Sequence, residues 1–207
     1  MLISRKYRFI FIHVYKNAGS SITSALKPFV QSKRQKIADS IFKIFGISHF
    51  DPKPYPSHIS AMDLMSKMGK KRFGSYFKFG IVRNPWDWEV SLYTYMLKNK
   101  NHPLHGMVKG FKNFDEYLEW RYSKPVTYQK DFLFSEKNEQ LVDFIGRFEK
   151  LSDDFNKICS HIGISATLPR RNISNIKPYQ EYYNKKTIEL VRKKLEPDIR
   201  LFKYDFE

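Results

Sequence analysis

F-I-F-I-H-V-Y-K-N-A-G-S-S, residues 9–21, changes character within a few positions. Its first half is apolar, β-branched and aromatic, the composition of a buried strand. Lys16, Gly19, Ser20 and Ser21 follow, and then the helical pattern Ile22, Ala25, Leu26, Phe29 begins. A buried strand, a tight turn and a helix N-terminus make an anion site, because backbone N–H groups and the helix dipole both favour negative charge there. Lys16 adds a full positive charge at the mouth of the turn. The segment is read as a cradle for a phosphate or sulfate group; taken alone, it also fits an ordinary strand-to-helix turn.

Outward from this segment the same alternation recurs. Strand-like runs cover 9–14, 76–82 and 142–148, and helical patterns cover about 19–29, 59–68, 86–98, 113–120, 152–162 and 184–196. Strands alternating with helices predict an α/β fold, a mainly parallel sheet flanked by helices. Ser152 before Asp153 and Asp154 predicts a helix cap, Asn184 predicts another, and Pro197 is expected to end the last helix. Residues 31–57 read as a helical piece followed by an irregular, proline-containing segment, and 99–110 and 121–138 as surface loops.

The 207 residues fit one medium domain, 1–207, long enough to bury a real core. Hydrophobic residues make up 42% and aromatics 16%, which excludes a disordered chain. The net charge of +16 attracts polyanions without choosing among them. The single cysteine, Cys159, excludes an internal disulfide and a zinc–cysteine cluster, and its helical context predicts a core position. No run of apolar residues is long enough for a membrane span, and no signal peptide is evident, so a cytoplasmic, reducing setting is expected.

A second motif, I-V-R-N-P-W-D-W-E-V-S, occupies 81–91. Arg83 stands at the C-terminal end of a strand, Pro85 suits the first turn of the next helix, and Ser91 lies two turns into it. Ligands of open α/β sheets bind beyond the C-terminal strand ends, so Arg83 is expected to face the cleft of Lys16. A guanidinium with a hydroxyl suits a terminal phosphate; a surface ion pair is the competing reading. Tyr15–Ser21 differs from the Walker loop, whose lysine follows its glycines.

Together these motifs resemble those of the sulfotransferases that use 3′-phosphoadenosine 5′-phosphosulfate (PAPS). Y-K-N-A-G-S-S is similar to that family's loop for the 5′-phosphosulfate, and R-N-P-W-D-W-E-V-S to its 3′-phosphate element. The segments 142–151, 168–174, 182–191 and 198–206 resemble the C-terminal part of the carbohydrate sulfotransferase branch, and H-I-S-A-M-D-L (58–64) is similar to a segment of uronosyl 2-O-sulfotransferases. The resemblance implies the PAPS sulfotransferase fold and donor contacts from Lys16, Asn17, Ala18, Gly19, Ser20, Ser21, Arg83 and Ser91. It implies further donor contacts from a basic loop holding Arg171, Asn172, Ser174 and Lys177. It also implies His58 as general base, with a purely structural histidine as the alternative. PAPS is the expected donor, PAP the product, a carbohydrate hydroxyl the expected acceptor, with no metal and no nucleic acid partner. Tyr15 replaces the family's usual proline and Trp88 a frequent second arginine. A P-loop-type nucleotide kinase and a non-catalytic polyanion-binding protein on the same fold are the alternatives.

Overall fold

The computed structural model describes residues 1–30, 55–169 and 177–207. The helical piece and the irregular segment expected over 31–57 fall mostly outside them. The chain divides into two units, Met1–Ile81 with Phe132–Arg171, and Val82–Asp131 with Asn172–Glu207.

The sheet is built on three short apolar runs and one strand that sequence patterning misses. Strand β1 (Leu2–Ser4) pairs antiparallel with β2 (Phe9–Ile12), β2 pairs parallel with β3 (Phe77–Val82), and β4 (Phe144–Arg147) lies beyond β3. The fold is therefore α/β with its parallel pair at the centre. β1 escapes prediction because three residues are too few for an alternation to show. All four residues of β2 are buried, as expected of a strand covered on both faces. β3 and β4 meet through a reciprocal contact. The Asp143 N–H donates to the Lys78 carbonyl (2.8 Å), and the Lys78 N–H donates to Asp143 Oδ2 (2.7 Å). The same carboxylate oxygen lies 2.7 Å from Lys78 Nζ, which also donates to the Tyr76 carbonyl (2.7 Å). A lysine in the middle of a sheet is tolerable only with such partners.

One face of the sheet carries the core of the first unit. Phe9, Phe11, Phe79 and Ile81 alternate along β2 and β3 and meet Ile22 and Leu26 of helix α1 (Gly19–Val30). Phe155, Ile158, Cys159 and Ile162 of α7 (Leu151–Ile162) complete the cluster. Each ring or branched chain removed from water here contributes about 1.5–3 kcal/mol. Cys159 is a core residue, and burial pushes its thiol up. α7 starts at Leu151, one residue before Ser152, and has no side-chain cap; Asp153 and Asp154 still supply negative charge to its first turn. It ends at Gly163, whose φ of 66° is the left-handed cap that glycine adopts without steric cost. Helices α2 (Ala61–Met68) and α3 (Lys70–Gly74) precede β3.

The second unit holds α4 (Pro85–Lys98), α5 (His105–Lys109), α6 (Phe114–Tyr122), α8 (Lys185–Lys194) and α9 (Glu196–Phe202). The Asn184 side chain caps α8, reciprocated by Thr187. Pro197 does not end that helix. α8 stops at Lys194, and Pro197 sits in the first turn of α9, where a missing N–H costs nothing. The two expected surface loops are also more structured than predicted. The first contains α5 with buried Val108, and the second contains a 3₁₀ turn (Lys130–Phe132) and a bridge between Phe134 and Gln140. This unit packs aromatic on aromatic: Tyr93 on Phe114 and Tyr117, Tyr183 and Trp86 on Phe206. Fully buried Glu89 accepts from the Tyr117 hydroxyl (3.3 Å), and Arg121 Nε lies 3.7 Å from its other oxygen. Desolvation pushes the Glu89 carboxyl up against the opposing pull of Arg121.

Asp198, with no exposed surface, accepts from the Gln129 N–H (2.7 Å) and the Lys130 N–H (2.9 Å). Burial outweighs those bonds and raises its carboxyl from 3.8 to about 6. Between these values the folded protein holds a proton that the unfolded chain has released. The group's contribution to stability is therefore full below the unfolded value and is lost as pH rises through about 6. Asp198→Asn removes the titration. In urea melts the stability difference between wild type and variant should shift by roughly 2–4 kcal/mol between acidic and neutral pH. A pH-independent difference would show that Asp198 titrates at its ordinary value.

Candidate functional site

In the first unit the chain leaves β2 at Ile12, and Lys16, Asn17 and Ala18 carry it into α1. His13, inside the strand-like run 9–14, stands one residue past β2 and is half-buried. Lys16 (φ 64°) and Ala18 (φ 57°) both adopt left-handed backbone, with Asn17 between them. Non-glycine residues rarely do so, and such conformations concentrate at functional sites. Left-handed residues of this kind also occur in nests, in which successive N–H groups turn toward one anion. At its far end, Gly19, Ser20 and Ser21 form the first turn of α1, whose N–H groups have no partners within the helix. Lys16 is half-buried, Ser20 exposed and Ser21 buried.

Asn17 is nearly inaccessible, and its Nδ2 donates to the Ile81 carbonyl on β3 (2.9 Å). Its amide thus braces the loop against the sheet. Gly19 is required by its neighbour, because a Cβ there would lie 1.6 Å from His13 Nε2.

His58 is exposed and immediately precedes buried Ile59. Its Nδ1 lies 3.0 Å from the His13 carbonyl oxygen. A carbonyl only accepts, so Nδ1 carries the hydrogen, and the neutral ring has its lone pair on Nε2. The His13 ring lies 4.4 Å away, and the Tyr15 ring meets His58 edge-on at 6.1 Å while also packing on Phe132 at 5.7 Å. The first unit therefore brings Lys16, Asn17, Ala18, Gly19, Ser20 and Ser21 into one loop with His58 tied to the same strand end.

In the second unit Arg83 follows β3 directly. Its guanidinium pairs with both carboxylate oxygens of Asp87, Nε to Oδ2 and Nη2 to Oδ1, each at 2.7 Å. The arginine side chain is 12% exposed and the aspartate 22%, so the pair is partly shielded from water. Ser91 is half-buried and one helical turn beyond Asp87, on the same face of α4. Asn84 caps α4 through the Trp86 N–H (3.0 Å), and Trp88 is fully buried.

Sequence reasoning misses the support behind Arg83. Gln129 accepts from the Arg83 N–H (2.9 Å) and donates to the Arg83 carbonyl (2.8 Å), acting as a side-chain strand partner. Gln129 is itself held by Asp198 and is fully buried. Nothing local marks Gln129 in the sequence, because its partners lie 46 and 69 positions away. Of the basic loop, Arg171, Asn172 and Ser174 lie outside the described residues. Lys177 is exposed, 3.7 Å from Glu181.

Among the described residues no group of three or more His, Cys, Asp and Glu side chains is disposed to hold a metal ion, and no helix is long and apolar enough to cross a membrane.

The parallel strand pair with its flanking helices defines an α/β fold. The model of the Sulfotransferase family matches residues 1–205, and the chain belongs to that family. It is accordingly a sulfotransferase. It is 32% identical over 111 residues to an uncharacterized protein of Archaeoglobus fulgidus, across 52% of this chain and 85% of that one. Its fold is similar to that of mouse sulfotransferase SULT7A1 in a crystal structure complexed with PAP. The TM-score is 0.58 and the identity 17%, covering 96% of this chain and 87% of the mouse chain.

The Gly19–His13 approach gives a direct test of the loop's packing. Gly19→Ala should destabilise the protein by about 1–3 kcal/mol, the usual cost of overpacking. His13→Ala on that background should return most of the loss, a coupling that a double-mutant cycle measures by urea unfolding. Additive effects would mean that the two residues do not meet.

Proposed function

We propose that the protein transfers the sulfuryl group of PAPS to a hydroxyl of a carbohydrate acceptor. The observation that carries this reading is the pairing, within one unit, of a left-handed lysine loop with a histidine whose Nε2 holds the lone pair. An anion cradle beside a proton acceptor is what the reaction requires. The acceptor O–H gives its proton to His58 Nε2 as a new O–S bond forms. The S–O bond to the 5′-phosphate breaks, and its electron pair stays on the leaving oxygen of PAP. Lys16 and the N–H groups of residues 18–21 meet the charge that develops there. Roles for His58 and Lys16 as base and charge-stabiliser follow from these positions and from the motif resemblance.

Arg83 and Ser91 are proposed to bind the 3′-phosphate. Asp87 orients the guanidinium through two hydrogen bonds, and Gln129 fixes the backbone from which it extends. Arg171, Asn172, Ser174 and Lys177 are assigned to the same end of the donor by motif alone. The carbohydrate acceptor and a cytoplasmic setting rest on resemblance and on composition, the latter on one buried cysteine.

Lys16→Ala should lower kcat on the order of 10²-fold, the effect of losing one donor to a developing charge. His58→Ala should lower it by a comparable or larger factor while leaving PAP affinity nearly unchanged. Mass-spectrometric turnover with PAPS and an acceptor panel reads both, and wild-type turnover in either variant removes that residue from the mechanism. A wild-type protein that binds PAP but sulfates nothing supports the non-catalytic alternative.

Calorimetry with PAP and adenosine 5′-monophosphate separates the 3′-phosphate contacts. Arg83→Ala should weaken PAP binding by about 2–5 kcal/mol and barely change binding of the monophosphate. Gln129→Ala should reduce the same discrimination by a smaller amount. Equal wild-type affinities for the two nucleotides would show that no 3′-phosphate site exists.

A further inference from the structure

The chain that follows α9 turns back to the start of α4. α9 is closed by Lys203, whose φ of 53° is left-handed, and the reversal brings Asp205 and Phe206 to Asn84 and Trp86. A lysine takes that conformation against its steric preference, so the contacts beyond the turn hold it. All of these residues belong to the second unit.

Those contacts are specific. Arg192 Nη1 donates to Asp205 Oδ1 (3.0 Å), and the Phe206 N–H donates to the same oxygen (2.8 Å). The half-buried Phe206 ring stands edge-on among three others, Trp86 at 5.7 Å and Tyr179 and Tyr183 at 5.5 Å each. The Tyr183 hydroxyl in turn donates to the Trp86 carbonyl (2.9 Å). Gln180 Nε2 and the Tyr179 hydroxyl both donate to the Glu207 carbonyl.

Asn84 joins this segment to the helix start. Its Oδ1 accepts the Trp86 N–H (3.0 Å) and so caps α4, while its Nδ2 donates to the Asp205 carbonyl (2.8 Å). The residue is 8% exposed, so water competes weakly for either bond. A cap alone needs one acceptor, which serine or aspartate also supplies. The second arm is what the amide adds. Arg83 stands just before this cap and Asp87 just after it, so the two 2.7 Å bonds between them span the start of α4. Gln129 holds the Arg83 backbone on one side of that junction, and Asn84 holds the helix on the other. A bidentate pair tolerates little displacement of either partner. Whatever fixes the Asn84 amide therefore fixes the direction of the guanidinium.

We infer that Asn84, Asp205 and Phe206 are positioning residues for Arg83: the segment after α9 grips the Asn84 amide and so aims the guanidinium. This rests on the reading of Arg83 as a contact of the donor's 3′-phosphate. A segment that merely covered Trp86 would lose stability when altered and leave nucleotide preference unchanged.

The test is calorimetry with PAP and adenosine 5′-monophosphate. Asn84→Ser keeps a cap and removes the second arm, and Phe206→Ala removes the ring from its three partners. Each should weaken PAP binding on the order of tenfold and change monophosphate binding less than about twofold, the signature of a misplaced contact. Phe206→Tyr, which keeps the ring, should bind PAP as the wild type does. On an Arg83→Ala background Asn84→Ser should cost less than about twofold more, because the side chain it aims is gone. Melting temperatures check that each variant is folded; should Phe206→Ala unfold, Asn84→Ser carries the test. Equal weakening of both nucleotides, or losses that add to that of Arg83→Ala, would overturn the positioning role. A wild-type preference for PAP that survives both variants would also overturn it, and would leave the 3′-phosphate reading standing. Equal wild-type affinities for the two nucleotides would overturn that reading and this inference with it.

Discussion

The hydrogen bond from Asn17 Nδ2 to the Ile81 carbonyl spans the two central strands at the end where both leave the sheet. It is short, at 2.9 Å, and its donor residue is 1% exposed, so water does not compete for it. Without it the left-handed turn at Lys16 and Ala18 would have to hold its shape against residues that prefer φ < 0. The parallel pairing of β2 with β3 places donor and acceptor opposite each other. The aromatic layer of Phe9, Phe11 and Phe79 in turn holds that pairing. Core, sheet and loop are linked in that order, and the loop's conformation is the last link.

Much of this order is legible in the chain. β2, β3 and β4 announce themselves as apolar runs bounded by polar ones, and the helices by their spacing. The Lys16 loop is legible because strand, lysine, glycine and serines are contiguous. Where sequence reading fails, the missing information is non-local or too short to have a period. β1 has three residues. Ser152 resembles a cap, yet the preceding 3₁₀ turn, Phe148–Lys150, continues directly into α7 and moves the boundary back. Pro197 resembles a stop and instead starts a helix, since proline suits both roles equally.

The candidate residues show the same division. Lys16 and Arg83 can be picked out by their place at strand ends. The side chains that orient them cannot, apart from Asp87, which stands one helical turn from Arg83. Gln129 reaches the Arg83 backbone from a distant part of the chain through its side-chain amide, and Asp198 in turn accepts the Gln129 N–H. His58 is ambiguous as a sequence feature, because a lone histidine before a helix is usually structural. Its contact with the His13 carbonyl decides its tautomer, and only coordinates can supply that.

Lys78 and Asp143 have a consequence for how the sheet is assembled. Asp143 accepts the Lys78 N–H with a side-chain oxygen and returns its own N–H to the Lys78 carbonyl, while the ammonium lies against the same carboxylate. A slip of β4 by one residue would take the carboxylate away from both donors and leave a lysine that is 7% exposed without its counter-charge. A four-residue strand has few ladder bonds with which to select its alignment. The ion pair makes the misaligned neighbour of the native sheet costly, so the register of β4 is selected by a charge at its edge rather than by the length of its ladder.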